Sequence, residues 1–156
     1  MTDFATQVAG FMEKYQKRMR ATMRESVQAT VALAQQPAPK AGISQAALSK
    51  MIEVEGGAGR MRIDTGFLRA SIGAAVGSMP SGESVNPSPK TPGAFQYDGS
   101  SIAMSLLKWQ PGETLYVGWT ANYARPREAR DGFLRGAVEK WDGTVRAVSA
   151  KVRKSL

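Results

Sequence analysis

Residues 62–72 read RIDTGFLRASI and place an acid, a threonine and a glycine directly before a short apolar run. The carboxylate of Asp64 is in position to accept the free backbone N–H groups of a following helical turn, a cap worth about 1 kcal/mol. Phe67 and Leu68 are then expected to face inward, whereas Arg69 points elsewhere. We predict that this stretch starts a helical turn and fixes the path of the chain into a sheet.

A sheet is predicted on both sides of a long central loop. The small residues of IGAAVG at 72–77 suit an extended strand that follows Ser71. Two further strand candidates are SIAMSLLKW at 101–109 and TLYVGW at 114–119, joined by the turn sequence QPGE at 110–113. These two segments predict an antiparallel hairpin. With the first strand they give an α+β fold whose small antiparallel sheet has three or more strands.

A long helix is predicted over residues 3–35, because apolar residues recur there every three or four positions. Pro37 and Pro39 prevent its continuation. At about 1.5 Å per residue it would be roughly 45 to 50 Å long, so part of it is expected to project from a small domain. Its apolar stripe packs on the domain's own sheet or forms a contact between subunits. The stripe comprises Phe4, Val8, Phe11, Tyr15, Met19, Met23, Val27 and Val31.

A second helix is predicted over residues 131–154, with Asp131 in position to cap it. The preceding stretch, RPREARDG at 125–132, is interpreted as a basic loop. Gly143 weakens the helix by about 1 kcal/mol relative to alanine, which allows a bend there. The apolar stripe of this helix consists of Leu134, Val138, Trp141, Val145, Val148 and Val152.

The remaining segments connect these elements within one domain, residues 1–156. Residues 36–43 are interpreted as a linker and residues 44–55 as a short helix capped by Ser44. The glycine-rich GGAGR at 56–60 lacks the spacing of a dinucleotide or phosphate-binding loop, so we interpret it as a flexible joint.

Residues 78–101 are rich in serine, proline and glycine and show no periodicity, which is typical of disorder or of a functional loop. Phe95 and Tyr97 are the aromatic residues of this segment. They either anchor the loop on its own domain or dock it on a neighbour by folding on binding.

Composition excludes several classes of chemistry. The 156 residues contain no cysteine and no histidine, which excludes disulfides, thiol nucleophiles and histidine-based triads. No run of about 18 apolar residues predicts a membrane span, and the first residues do not resemble a signal peptide, so we expect a protein made in the cytoplasm with no membrane contact. The net charge of +8 favours an acidic partner, either a protein surface or nucleic acid.

The positive charge is concentrated after residue 124. Four acidic residues lie in this region, against nine basic ones: Arg125, Arg127, Arg130, Arg135, Lys140, Arg146, Lys151, Arg153 and Lys154.

Three blocks, IDTGFLRASI at 63–72, LYVGWTANYA at 115–124 and DGFLRGAVEK at 131–140, resemble the tail-completion family of long-tailed phages, which includes the minor tail protein Z of phage lambda. The order of the blocks and their predicted elements agree with that family. The residues that match its motifs are Asp64, Thr65, Gly66, Leu68, Arg69 and Ser71 in the first block, Tyr123 in the second, and Phe133 and Leu134 in the third.

The resemblance implies a small α+β adaptor that assembles into a ring, commonly a hexamer, at the head-proximal end of the tail tube. Such proteins end tube growth and join tail to head in the virion. The implied partners are further copies of the chain, a tail tube or tail terminator protein, and head-closure or connector proteins. The family is structural, so no catalytic residue, metal or cofactor is implied. The first block would shape the turn before the sheet, and Tyr123, Phe133 and Leu134 would pack the last helix onto it.

One departure from the family pattern falls after the Tyr-Ala pair. Members usually carry Glu-Phe-Gly there, whereas this chain has Arg125-Pro126-Arg127-Glu128, so the contacts of this edge are expected to differ. The candidate interface residues are Phe95, Tyr97, Arg125, Arg127 and Arg130.

Two other functions follow from the residues themselves. A nucleic-acid-binding protein would use Arg125, Arg127, Arg130 and the terminal KVRKSL, with an affinity that falls steeply with salt. An enzyme would hold a hard metal ion between Asp64 and Glu53 or Glu55, although a glycine joint separates these acids.

Overall fold

The computed structural model describes residues 3–37, 42, 44, 47, 59–87, 91 and 93–156. The described chain mixes helices with a small antiparallel sheet. In chain order its elements are α1 (Phe4–Ala34), α2 (Phe67–Ala70), β1 (Ile72–Val76), α3 (Ser100–Lys108), β2 (Leu115–Trp119), α4 (Ala124–Asp131), α5 (Phe133–Val138) and α6 (Trp141–Ser155).

Helix α1 spans Phe4–Ala34, compared with the 3–35 expected from the sequence. Its 31 residues extend over about 46 Å. The C-terminal half carries the buried residues Val27, Val31 and Ala34, whereas every residue from 3 to 17 is exposed. Only the second half of the stripe therefore packs on the body of its own domain, and the contact between subunits stays a prediction.

The sheet pairs β1 with β2 in antiparallel register, from Ile72 opposite Trp119 to Val76 opposite Leu115. Within the described residues the sheet has two strands rather than three or more. A third segment only touches it: Ser84 N–H donates to Thr120 O at 2.8 Å and Asn122 N–H to Ser84 O at 2.9 Å, which forms one isolated parallel bridge. At Ser84 the central loop thus reaches the sheet edge through a single bridge rather than through a strand.

The strand and hairpin predicted over residues 101–109 are wrong, because this segment forms helix α3. Ile102, Leu106 and Trp109 are buried at the i, i+4, i+7 spacing of a helix face. Ala103, Met104 and Leu107 are apolar as well, so the run is apolar on nearly all sides and its helical spacing is masked in the sequence. Its buried face packs on β1 and α1. The carboxylate of Asp98 accepts the N–H of Ser100 at 2.9 Å and so supports the first turn.

The single helix predicted over residues 131–154 is divided, and the basic loop before it is itself helical. Gly132, with φ of 65°, ends α4, and α5 and α6 follow as separate helices. Pro126 lies in the first turn of α4, where a proline is tolerated. Asp131 does not cap the last helix. It lies at the end of α4, is 4% exposed, and pairs with Arg127 at 3.0 Å.

Two hydrophobic clusters form the core. The first cluster joins the end of α1 to Met61, α2, α4 and α5, and its central residues are Phe67 and the fully buried Phe133. The second cluster joins α1 to β1 and α3 around Val31 and Ile102. Trp119 packs against both clusters, so β2 connects them.

The expected short helix over 44–55 lies outside the described residues except at two positions. Ala47 is helical, and its N–H donates to the Ser44 hydroxyl at 3.2 Å, as expected for a capping serine. Most of the linker and of the glycine-rich joint also lie outside the described residues.

Gly59 and Gly136 bring two backbones into contact beside α5. A Cβ atom added at Gly136 would lie 3.0 Å from the Cα of Gly59, whose N–H donates to Asp131 O at 2.9 Å. Because this hydrogen bond holds Gly59 in place, the backbone there has little freedom to move away.

We predict that Gly136→Ala destabilises the protein by about 1–2 kcal/mol, because the clash outweighs the gain in helix propensity. Gly143 also lies in a helix but has no atom within 4 Å of an added Cβ, so Gly143→Ala should stabilise by up to about 1 kcal/mol. Urea unfolding of both variants measures the difference, and two changes of the same sign would contradict the close approach.

Candidate functional site

Residues 62–72 form a junction between three parts of the chain. The backbone carbonyl of Thr65 accepts the N–H of Phe95 at 2.9 Å, and that of Asp64 accepts the N–H of Gly93 at 3.2 Å. The carbonyl of Ser71 accepts both the N–H and the hydroxyl of Thr120, each at 3.0 Å. The motif thereby ties the central loop to the residue that follows β2.

Thr65, rather than Asp64, provides the side chain that supports the helical turn. Thr65 is 2% exposed, and its hydroxyl oxygen accepts the N–H of Phe67 at 3.2 Å and the amide of Asn86 at 3.3 Å. The expected cap by Asp64 is therefore wrong. The threonine hydroxyl can bond backbone two residues ahead while the chain turns, which is the geometry of a serine–threonine turn.

Gly66 allows the loop to approach the turn closely. Its φ is 83°, a left-handed conformation that favours glycine, and a Cβ there would fall inside the contact distance of the Phe95 carbonyl oxygen and 3.1 Å from its carbon. Both the conformation and the close approach therefore require glycine.

We predict that Gly66→Ala destabilises the fold by more than about 3 kcal/mol, because it combines left-handed strain with a backbone clash. Gly77 is the matched control, since its φ is 82° and nothing lies within 4 Å of an added Cβ. Gly77→Ala should cost only the conformational strain, about 1–2 kcal/mol. Denaturant midpoints of both variants test this difference, and equal losses would rule out the clash.

Arg69 connects the motif to the end of α1. Its guanidinium donates to Gln35 O at 2.8 Å, and the Gln35 side-chain amide donates to Arg69 O at 3.2 Å. A cation at a helix C-terminus is stabilised by the free carbonyls and by the helix dipole. Burial lowers the pKa of Arg69 from its ordinary value, and arginine side chains stay charged at neutral pH in proteins.

Aromatic side chains surround the turn. Phe67 packs edge-on against Phe95 with aromatic centroids 5.1 Å apart, and it lies 6.2 Å from Tyr123. Trp119 packs edge-on against Phe133 at 5.1 Å. Phe95 is therefore an anchor of the loop on its own domain.

A cavity of about 220 Å³ opens beside the turn, lined by three arginines, Arg62, Arg69 and Arg127, and by Asp64 and Tyr123 among others. Burial, followed by the charge of Asp64, raises the pKa of the Tyr123 hydroxyl, so this group is a neutral hydrogen-bonding group at neutral pH. Asp64 is the single carboxylate among the lining residues. General acid–base catalysis by two carboxylates needs a second one held nearby.

The metal site predicted from Asp64 with Glu53 or Glu55 lies only partly within the described residues, because both glutamates fall outside them. Across the part of the chain that the structure describes, no three acidic side chains are grouped so that they could hold a metal ion. The contacts of this junction hold the central loop, the end of α1 and the residue after β2 together.

The remaining sequence-derived residues are distributed over the molecule. Leu68 and Phe133 are buried, and Leu134 is partly buried against the same cluster. Tyr97 is partly buried against the second cluster, and burial, with a smaller effect of Asp98, raises its pKa.

The three candidate interface arginines differ in exposure. Arg125 and Arg130 are exposed on α4, whereas Arg127 is partly buried in its ion pair with Asp131. Only two of the three are therefore freely presented at the surface.

Two residues that the sequence reasoning missed hold the site together. The carboxylate of Glu128 accepts the N–H groups of Leu134 at 2.7 Å and Arg135 at 3.0 Å and so caps α5. Asn86 bonds Thr65 from the loop. An acid six residues before a helical N–H is not a recognised capping pattern. Gly132, which lies between Glu128 and Leu134, was the sequence signal that one helix ends and another begins there.

A second candidate surface is the exposed segment 3–17, which comprises Asp3 and the N-terminal part of α1 and is here called the arm. Five large apolar side chains of the arm are exposed: Phe4 by 78%, Val8 by 42%, Phe11 by 68%, Met12 by 48% and Tyr15 by 53%. They continue the stripe that is buried further along the helix. Apolar patches of this kind mark interaction surfaces more often than scattered exposed residues do.

A third feature is a groove of about 420 Å³ beside β2, here called the sheet groove. Met79 and Glu83 line one side, and β2, α4 and α5 supply the rest through residues such as Gly118, Trp119 and Leu134. Met79 is 61% exposed.

Comparison with known proteins found no family model, no curated protein and no solved structure that matches this chain.

None of the described helices combines the length and the apolar character needed to cross a membrane.

Proposed function

We propose that this protein is a structural component of the phage neck that assembles into a ring, completes the tail tube and joins the tail to the head. The observation that carries the proposal is the arm, about 15 residues of helix with five exposed apolar side chains on one face. Such a surface on a small domain favours burial against another protein chain. The resemblance of the three sequence blocks to the tail-completion family indicates the kind of assembly, a ring at the end of the tail tube.

The motif residues support an architectural role in this proposal. Thr65, Gly66 and Arg69 hold the loop, the turn and the end of α1 together, so the body of each subunit is a stable platform. We assign no catalytic role to Asp64. A protein that acts by assembly needs a rigid body and exposed contacts, which is the arrangement proposed here.

The charge of the surface favours acidic partners. Eight of the nine cations after residue 124 are exposed, namely Arg125, Arg130, Arg135, Lys140, Arg146, Lys151, Arg153 and Lys154. In the proposed ring these side chains face acidic surfaces of the neighbouring tail or connector proteins, or the DNA that passes through the ring.

The test of this function is the mass of the purified protein by light scattering after size separation, over a concentration series, alone and with tail-tube protein. We expect one discrete oligomer, with six copies as the expected number. Phage particles that lack the chain should accumulate separate heads and tails. A protein that remains monomeric under both conditions, together with particles that still join normally, would contradict the proposal.

The exposed cations also support a second candidate, a nucleic-acid-binding protein. This function predicts that DNA shifts the mass of the protein and that the affinity falls steeply with salt, because each phosphate contact releases a counterion. Arg130→Glu and Arg146→Glu should each weaken such binding, whereas Arg127→Gln, which removes a cation already paired with Asp131, should affect it less. An affinity that does not change with salt would exclude this candidate.

A further inference from the structure

The cavity beside the turn combines several groups that bind anions. Its three arginines, Arg62, Arg69 and Arg127, are accompanied in the lining by one carboxylate, that of Asp64. Even when Asp131 is included, which pairs with Arg127 from outside the lining, three cations stand against two acids. Guanidinium groups bind oxyanions with strong, directional hydrogen bonds. The volume of about 220 Å³ is many times what one water molecule needs, so a small oxyanion fits.

Arg69 supplies a cation and an unused donor at this cavity. Its guanidinium donates to Gln35 O at 2.8 Å, and among the described residues no carboxylate pairs with it. The Nε of Arg69 is buried and has no hydrogen-bond partner within the same part of the chain. A partly buried cation with an unused donor is costly, and a hydrogen-bonded anion would offset that cost.

Two hydroxyl groups add further donors. Thr65 is 2% exposed, and the hydrogen bonds from Phe67 N–H and from the Asn86 amide both use its hydroxyl oxygen as the acceptor. The Thr65 hydroxyl proton therefore remains available to donate. Tyr123 also lines the cavity, and because burial raises its pKa it keeps its hydroxyl proton at neutral pH.

The lining also contains hydrogen-bond acceptors, which distinguish between oxyanions. The Asn86 amide oxygen is buried without a hydrogen-bond partner among the described residues, and the Asp64 carboxylate is an acceptor as well. At neutral pH, hydrogen phosphate carries a P–OH group that can donate to such an acceptor. Sulfate, acetate and a DNA phosphodiester carry no such proton, so the Asp64 carboxylate would repel them. Donors and acceptors together match hydrogen phosphate.

We propose that this cavity binds inorganic phosphate, with the Arg69 guanidinium and the Thr65 hydroxyl donating to its P–O oxygens and the Asp64 carboxylate accepting its P–OH group. The bound ion links the turn to the residue that holds the end of α1, and Arg127 of α4 lines the same cavity. Phosphate therefore stabilises the junction of these three elements. The site lies within one copy of the chain, so it is independent of the proposed ring.

The test is isothermal titration calorimetry of the full chain with inorganic phosphate and with sulfate, at a constant ionic strength set by chloride. Phosphate should saturate one site. Sulfate should bind at least about tenfold more weakly, because it leaves the Asp64 carboxylate without a donor. Both ions strengthen folded states in general by exclusion from the surface, so a difference between them reports the site. Equal binding of the two ions, or binding of neither, would overturn the proposal.

Two variants of the lining separate its roles. Arg69→Gln removes the cation and should weaken phosphate binding at least about tenfold. Asp64→Asn replaces the carboxylate with an amide that can also donate, so sulfate should bind nearly as well as phosphate. Thr65 rather than Asp64 supports the turn, so Asp64→Asn should fold even if Arg69→Gln, which loses the bond to Gln35 O, does not. Circular dichroism checks the fold of both variants.

Arg146→Gln and Glu139→Gln are the matched controls, because each removes one exposed charge of the same sign outside the cavity. Both should bind phosphate and reject sulfate as the wild-type chain does. An Asp64→Asn variant that still rejects sulfate, or a control that loses the preference, would show that the phosphate site is wrong. Neither result would bear on the proposed ring, which the mass of the assembled chain tests separately.

Discussion

The close approach of the Phe95 carbonyl to Gly66 is the contact on which much of the remaining structure depends. It is possible because residue 66 has no side chain and because its φ of 83° turns the chain away. It brings the loop close enough for the Thr65 carbonyl to accept the Phe95 N–H and for the aromatic residue Phe95 to pack on Phe67. A backbone contact therefore links a long irregular loop to the core. The composition of that loop, taken alone, would favour disorder.

The same motif also contacts the C-terminal end of α1. Arg69 bonds the last turn of α1 through Gln35, and Ser71 bonds Thr120 beyond β2. The helix, the turn and the sheet are consequently held by backbone and side-chain groups of residues 65–71, which lie within seven positions of each other in sequence. Because this end of α1 is fixed, the arm at its other end is presented in one direction, as the proposed ring would require.

Much of the local structure could be predicted from the sequence, and the failures have specific causes. The long helix was predictable because its apolar period runs uninterrupted and a proline follows it. The segment 101–109 was not, because a run of nine mostly apolar and small residues fits a strand as well as a helix, and only its packing on β1 distinguished them. The break at Gly132 separates α4 from α5, and the Glu128 carboxylate that caps α5 is recognisable only once α4 has turned the chain back. The helix predicted over 131–154 is itself divided between Val138 and Trp141.

By itself the sequence determined the absence of cysteine- and histidine-based chemistry, the positive charge and the apolar stripe of α1, because these follow from side-chain types and short-range periodicity. The tertiary structure decided which half of the stripe is buried and that Thr65, rather than Asp64, supports the turn. It also decided that Arg127 is paired while Arg125 and Arg130 remain exposed. These outcomes depend on contacts between residues far apart in the chain. Short-range sequence patterns do not show which distant residue a side chain will contact.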